Sequence, residues 1–259
     1  MLICIDIGNT NITIGIYDGD ELKVTARLAT DSRRTSDQYA IEIRDIIHIY
    51  EIERSEITDA AICSVVPTVG NAVERAVEKL FCIKPMVLGP GIRTGLNIKI
   101  DNPAQLGADL AAGAVGALAK YSMPCIIIDL GTASTISVLG KNGEFLGGAI
   151  AAGIKLTLEA LTSKTAQLPM VSIEAPSHVI GSNTADCMKS GLVIGAASMI
   201  DGMITRIERE LKETATVVAT GGLAPEVVGF CDREILLDED LLLDGLKLIY
   251  QKNKQHAVK

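Results

Sequence analysis

Two aspartates stand in the same local frame. Asp6 closes the apolar run LICID and is followed by Ile7, Gly8, Asn9, Thr10, Asn11, Ile12 and Thr13, while Asp129 closes CIIID and is followed by Gly131, Thr132 and Ser134. An Asp delivered at a strand end faces a cleft on fixed backbone, and the Gly after it turns the chain with no Cβ in the way. Successive backbone N–H groups, with small hydroxyl and amide side chains beside them, form a concave anion site. An acid beside an anion nest is the chemistry of a phosphate handled through a cation. One Asp-x-Gly alone is an ordinary turn. Two at equivalent places are more specific, because facing loops can grip one polyphosphate from both sides.

Two further stretches carry chemistry. In VVATGGLAP, Gly221 and Gly222 permit close backbone approach to a flat ligand, or make a plain strand-to-helix turn. In DNPAQLGADLAAGAVGALAKY, Asn102 can cap, Pro103 suits the first helical position and Gln105 sits where a capping box wants it. Asp109 then falls in the second turn of a helix made mostly of Gly and Ala, and Gly107, Ala108, Ala111, Ala112 and Gly113 leave room for a ligand or another helix. The residues alone leave Asp109 as either a solvated helix carboxylate or a proton acceptor.

The elements that must position these groups follow from periodicity. LICIDIG predicts a buried strand, and residues 11 to 30 two more strands joined through Asp18-Gly19. Tyr39, Ile43, Ile46, Ile47 and Tyr50 recur at helical spacing, with Ser36 or Asp37 as N-cap. DAAICSVV predicts a strand ending at Pro67, VGNAVERAVEKLF a helix and PMVLG a strand. The order then restarts: a helix over 103 to 120 leads to a strand over 125 to 128 and a hairpin around GKNGEF. At an offset of 123, Asp6 matches Asp129, Gly8 matches Gly131, Asn9 matches Thr132 and Glu21 matches Glu144. Helices follow over GIKLTLEALTSKTAQL and the long segment from Ser182, then a strand at ATVVAT and a closing amphipathic helix. The class is α/β, in two related halves, 1–120 and 121–259, each a mixed sheet flanked by helices.

Composition narrows the partners. Hydrophobic residues make up 48% and charged ones 22%, a globular balance, but aromatics are 3% with no Trp, which leaves few platforms for stacking bases. A net charge of −8 and a pI near 5.0 oppose a nucleic-acid backbone as partner. The opening MLICIDIG has no basic region and carries Asp6, so it does not read as a signal peptide, and no apolar run predicts a membrane span. Six scattered cysteines with no CxxC pair read as reduced thiols of a cytoplasmic protein, and His48, His178 and His256 are too dispersed for a metal site or a triad.

On these residues the sequence resembles the actin, sugar-kinase and actin-like chaperone superfamily, and within it the type III pantothenate kinases. DIGNTNI, DNPAQLGAD, DLGTA, GGAIAAGI, SKTAQLP and SNTADCMKSG carry the resemblance, in the family's order over residues 2 to 225. It implies two duplicated actin-like (ribonuclease H-like) halves and transfer of the ATP γ-phosphoryl group to the primary hydroxyl of pantothenate, the first step of coenzyme A biosynthesis. It also implies Asp109 as proton acceptor, Asp6 beside Mg²⁺, and residues 6 to 13, Thr132, Gly221 and Gly222 against ATP. Asp129 is expected at a monovalent cation, K⁺ or NH₄⁺, and Ile100, Gly107, Ala108, Leu110 and Thr184 at the acceptor, in a homodimer. The chain departs from the family pattern at three points: Leu110 replaces the usual Arg after Asp109, Ile100 an aromatic residue, and Ala152-Gly153 a Pro-Gly. Leu110 removes a donor suited to the pantothenate carboxylate. A nucleotide-binding accessory protein of the same fold, or a kinase of another small alcohol, are the alternative expectations.

Overall fold

The structure, a computed structural model, describes residues 1–257; Val258 and Lys259, the end of the second half as divided by sequence, lie outside the described residues. In chain order the strands are β1 (Leu2–Ile7), β2 (Asn11–Asp18), β3 (Glu21–Ala29), β4 (Asp59–Ser64), β5 (Met86–Val87), β6 (Asn97–Ile98), β7 (Cys125–Leu130), β8 (Ala133–Leu139), β9 (Glu144–Ala152), β10 (Thr216–Thr220) and β11 (Leu236–Leu237). The helices are α1 (Ser36–Ile49), α2 (Pro67–Phe81), α3 (Ala108–Lys120), α4 (Ile154–Lys164), α5 (Thr184–Lys189), α6 (Gly195–Leu211), α7 (Ala224–Val228) and α8 (Leu241–Ala257).

The chain forms two compact units. The first comprises Met1–Leu96, Asn102–Ala119 and Leu241–Lys259, and the second Asn97–Asp101 and Lys120–Asp240. The C-terminal helix α8 therefore belongs to the first unit, although sequence order placed it in the second half.

In the first unit the sheet runs β3-β2-β1-β4-β5. The near-continuous apolar run of β1 suits a central strand covered on both faces. Ile3, Ile5 and Ile7 join the core that includes Tyr39, Ile43, Val73 and Val77 from α1 and α2. Cys4 faces the other way, into a second core that includes Ala61 and Cys63 of β4, Ala112 of α3, and Leu243, Leu246 and Ile249 of α8. Because side chains alternate along a strand, Asp6 projects on the face of Cys4, toward α3 and α8. Helix α1 is capped by Thr35, one residue before the expected Ser36 or Asp37. Thr35 is extended, its N–H donates to Gln38 Oε1 at 2.8 Å, and its hydroxyl accepts from the Gln38 N–H, a reciprocal box.

The helix expected over 103 to 120 divides. Asn102 caps only a short 3-10 turn at Pro103–Gln105, Leu106 is extended, and α3 starts afresh at Ala108. Asp109 thus lies in the first turn of its helix, not the second. Helices α3 and α8 cross where both lack side chains: a Cβ on Gly245 would come 1.8 Å from the Ala112 carbonyl oxygen, and one on Gly116 2.3 Å from that of Leu241.

In the second unit the sheet runs β11-β10-β7-β8-β9-β6. Apart from β6, which pairs parallel with β9, its five strands repeat the pairing of the first sheet. Even the irregularities recur: the register shifts at Ile16/Tyr17 in one hairpin and at Val138/Leu139 in the other. Ile126, Ile128 and Leu130 enter a core shared with α4 to α7. Residues Thr184–Leu211 form one uninterrupted helical run through a π turn, Ser190–Ile194. That run is long and apolar enough to cross a membrane by length and composition, yet Met188, Leu192, Ala197, Ile200 and Ile204 belong to this core.

Candidate active site

The first Asp-x-Gly loop is tied down by its neighbours. Gly8 N–H donates to the Asn11 carbonyl at 3.0 Å, Thr30 Oγ1 donates to the Gly8 carbonyl at 2.7 Å, and Thr30 N–H donates to the Thr10 carbonyl at 3.0 Å. Val65 N–H, just past β4, donates to the Ile7 carbonyl at 3.0 Å. Asn9, Thr10 and Asn11 are exposed at the tip, whereas the side chains of Ile7 and Ile12 are core. Those two residues can reach a ligand only through their main chain. Thr13 is the register partner of Asp6 on β2 and is half-buried.

Asp6 and Cys63 face a core of this unit that includes Ala108 and Ala112 of α3, the helix that carries Asp109. Cys63 is the register partner of Asp6 on the parallel strand β4 and is fully buried. Burial pushes the Cys63 thiol well up from its ordinary value, and the Asp6 and Asp109 carboxylates push it further. Asp109 Oδ1 accepts from the Leu110 N–H at 2.8 Å. A Cβ on Gly107 would stand 2.5 Å from that oxygen, so the carboxylate occupies space that only Gly leaves open. Ala108 and Leu110 flank it, both half-buried.

The second loop is built in the same way. Gly131 N–H donates to the Ala133 carbonyl at 3.2 Å, the counterpart of the Gly8 bond, and Leu223 N–H donates to the Leu130 carbonyl at 3.1 Å. Asp129 is paired in register with Thr220 of β10, itself buried. The Gly-Gly turn has divided labour. Gly221 has φ +91° and a Cβ there would lie 2.4 Å from Asp129 Oδ1, so its missing side chain makes room for the acid. Gly222 opens onto free space. Thr132 is braced from below by Gly153, whose Cβ would come 2.2 Å from the Thr132 carbonyl oxygen.

Ile100 and Thr184 lie on other elements of this unit. Ile100 Cγ2 packs over Gly147 of β9, and Thr184 is the exposed first residue of α5, behind an Asn183 cap that accepts the Asp186 N–H at 3.0 Å. Sequence reading did not set Cys63 or Thr220 beside the two acids. For Cys63 and Thr220 the available signal was register: each is the residue a parallel neighbour must set beside the acid.

Among the described residues no group of three or more His, Cys, Asp or Glu side chains forms a protein-only metal cage. That donor set still fits Mg²⁺, which keeps several waters and binds through one or two carboxylates together with substrate phosphates. Asp6 and Asp109 are hard-oxygen groups of that kind.

Comparison with known proteins accords with this geometry. A model of the type III pantothenate kinase family matches residues 2–206. A type III pantothenate kinase of Geotalea daltonii is 42% identical over 255 residues, covering 98% of this chain and 100% of its own. A solved protein of Campylobacter jejuni, described as a Baf family transcriptional activator, superimposes with a TM-score of 0.62 at 20% identity over 98% of this chain and 99% of its own. The activator of the 2-hydroxyisocaproyl-CoA dehydratase from Clostridium difficile, solved with bound ADPNP, gives 0.53 at 18% identity over 100% and 98%. At those identities the two solved proteins speak to fold, which is the actin-like ATPase and sugar-kinase fold.

Proposed function

The chain belongs to the type III pantothenate kinase family and is an ATP-dependent pantothenate kinase; from that premise we propose how its own residues divide the work. Asp109 accepts the proton of the primary hydroxyl of pantothenate as the oxygen attacks the γ-phosphorus of ATP. The bond from that phosphorus to the β–γ bridging oxygen breaks, giving ADP and 4'-phosphopantothenate. Catalysis of this transfer is mostly positioning and charge neutralisation. The main chain of residues 7 to 13 and the hydroxyls of Thr10 and Thr13 bind phosphate oxygens, and Asp6 holds Mg²⁺ on that side. Mg²⁺, when bound with the nucleotide, neutralises charge on the phosphate oxygens.

One observation supports this reading: Asp6 projects toward the core that Cys63 of β4 shares with Ala108 and Ala112 of α3, and α3 carries Asp109 more than a hundred residues further along the chain. A base near the acceptor and an acid near the metal must share one small region, and the first unit supplies both.

In the second unit, Thr132 and Gly222 bind the nucleotide and Asp129 holds a monovalent cation, K⁺ or NH₄⁺. The tight seat of its carboxylate against Gly221 supports a fixed ligand there. On the first unit, Gly107, Ala108 and Leu110 flank the base and contact pantothenate; on the second, taken by itself, Ile100 and Thr184 keep the acceptor role expected of them from the sequence. Exposed Ile150, Met170, Val179 and Ile180 on the second unit support a homodimer, and the reduced thiols a cytoplasmic location.

The test is Asp109→Asn, assayed by ATP-dependent phosphorylation of pantothenate. Turnover should fall about 10²-fold or more, as expected for a lost general base, with ATP affinity intact. Unchanged turnover removes Asp109 from the role.

A further inference from the structure

The two Asp-x-Gly devices share a third member that the loops themselves do not contain. In each unit the acid is the penultimate residue of a central strand, β1 or β7, and β4 or β10 runs parallel beside it. In-register residues of parallel strands project to the same face, so the partner of each acid stands directly alongside its side chain. Those partners are Cys63 for Asp6 and Thr220 for Asp129, both small, both buried, and both able to donate one hydrogen bond from sulfur or oxygen. An apolar residue would fill either position as well for packing alone, and the adjoining positions Ile62 and Ala219 are apolar.

We infer that Cys63 is a positioning residue for phosphoryl transfer: its S–H donates to the Asp6 carboxylate and fixes the rotamer in which Asp6 serves the metal and phosphates, next to Asp109. The thiol is fully buried, so it touches neither substrate and acts only through the acid above it. With that donor gone, Asp6 keeps its charge but loses one of the contacts that fix its rotamer. A carboxylate bound to one small octahedral cation tolerates such loosening poorly, because Mg²⁺ demands near-ideal geometry.

The inference rests on the assignment of Asp6 to the Mg²⁺ side, and the experiment separates the two. Cys63→Ala, Cys63→Ser and Asp6→Asn are assayed for kcat, for KM of ATP and pantothenate, and for the MgCl₂ concentration giving half-maximal rate, with thermal melting as a folding control. Cys63→Ala should lower kcat about 3- to 10-fold, the usual weight of one hydrogen bond. It should also raise half-saturating MgCl₂ while leaving KM for pantothenate in place. Cys63→Ser, which restores a donor, should recover most of both losses. Cys63→Val, which fills the space without a donor, stands in if the Ala variant does not fold. The inference is overturned if Cys63→Ala matches the parent in kcat and MgCl₂ dependence, or if Cys63→Ser is impaired as deeply as Cys63→Ala. An Asp6→Asn variant of full activity overturns the Asp6 assignment itself, whereas an inactive Asp6→Asn beside a fully active Cys63→Ala overturns only the role of Cys63.

Discussion

Replacing Gly245 by Ala tests how Asp109 is held. Gly245 lies on α8 and touches α3 at Ala112, one helical turn beyond Asp109. The added methyl would stand 1.8 Å from the Ala112 carbonyl oxygen, where Cβ atoms essentially never come within 3.0 Å, so the helices must part by about 1.2 Å. The obstacle is backbone, and no rotamer change relieves it. Inserting a methylene-sized group into a packed crossing costs about 1–3 kcal/mol, and each kcal/mol lowers the melting temperature of a chain this size by about 2–4 °C. Because α3 carries Asp109 in its first turn, the shift reaches the proposed base, and a displacement of about 1 Å can cost up to about 10²-fold in rate. Gly245→Ala should therefore melt several degrees lower and lose kcat by about 10-fold or more, measured by coupling ADP release to NADH oxidation. Glycine's own flexibility works in the opposite direction, since Ala inside a helix is favoured by about 1 kcal/mol. A variant as stable and as fast as the parent would show that the crossing does not hold Asp109.

Three further outcomes follow from other sites. Replacing K⁺ and NH₄⁺ by Na⁺ should reduce the rate of pantothenate phosphorylation if Asp129 holds a monovalent cation, and an indifferent rate counts against that site. Leu110→Arg should lower KM for pantothenate by about 10-fold or more, the weight of one charge-assisted hydrogen bond; a flat KM means another residue already supplies that contact. Burial, then the hydrogen bond to Asp238, pushes the Tyr121 phenol up to about 12, so its contribution to stability is complete below the unfolded value near 10 and is lost as pH rises through 12. The melting-temperature difference between the parent and Tyr121→Phe should accordingly be constant from pH 7 to 9 and shrink above pH 10, and a constant difference up to pH 11 refutes the assignment.

The parts of the site that repeat were legible in the sequence. Asp6 and Asp129 sit at strand ends because each closes an apolar run, and the hairpins after them announce themselves by Asp18-Gly19 and by GKNGEF. Glu21 and Glu144, matched by offset, each begin the third strand of their sheet. What the sequence concealed was interruption and long-range contact. Asn102, Pro103 and Gln105 carry helix-start chemistry, but a 3-10 turn spends it before Leu106 straightens the chain, and that placed Asp109 one turn too deep. The membership of α8 in the first unit had no local signal, since it depends on Gly116 and Gly245 allowing two backbones to touch. At Gly221 the sequence shows the freedom of a glycine but not that Asp129 fills the space beside it.

The duplicated device differs between its two copies in ways that suit the two duties proposed for it. Both loops close with the same bond, from the Gly N–H to the carbonyl at the head of the next strand, yet the first loop takes three residues, Gly8 to Thr10, and the second takes two, Gly131 and Thr132. The longer loop leaves Asn9 and Thr10 exposed at its tip, which is what binding several phosphate oxygens requires. The shorter one is pressed against Gly153 and against Gly221, which leaves Asp129 little freedom. A carboxylate that serves a magnesium–nucleotide complex must accept a ligand that arrives and departs with each turnover. One that holds a resident monovalent ion gains from being fixed in advance. The register partners differ along the same line: a weak thiol donor beside the acid proposed to work with substrate, and a stronger hydroxyl beside the acid that is walled in.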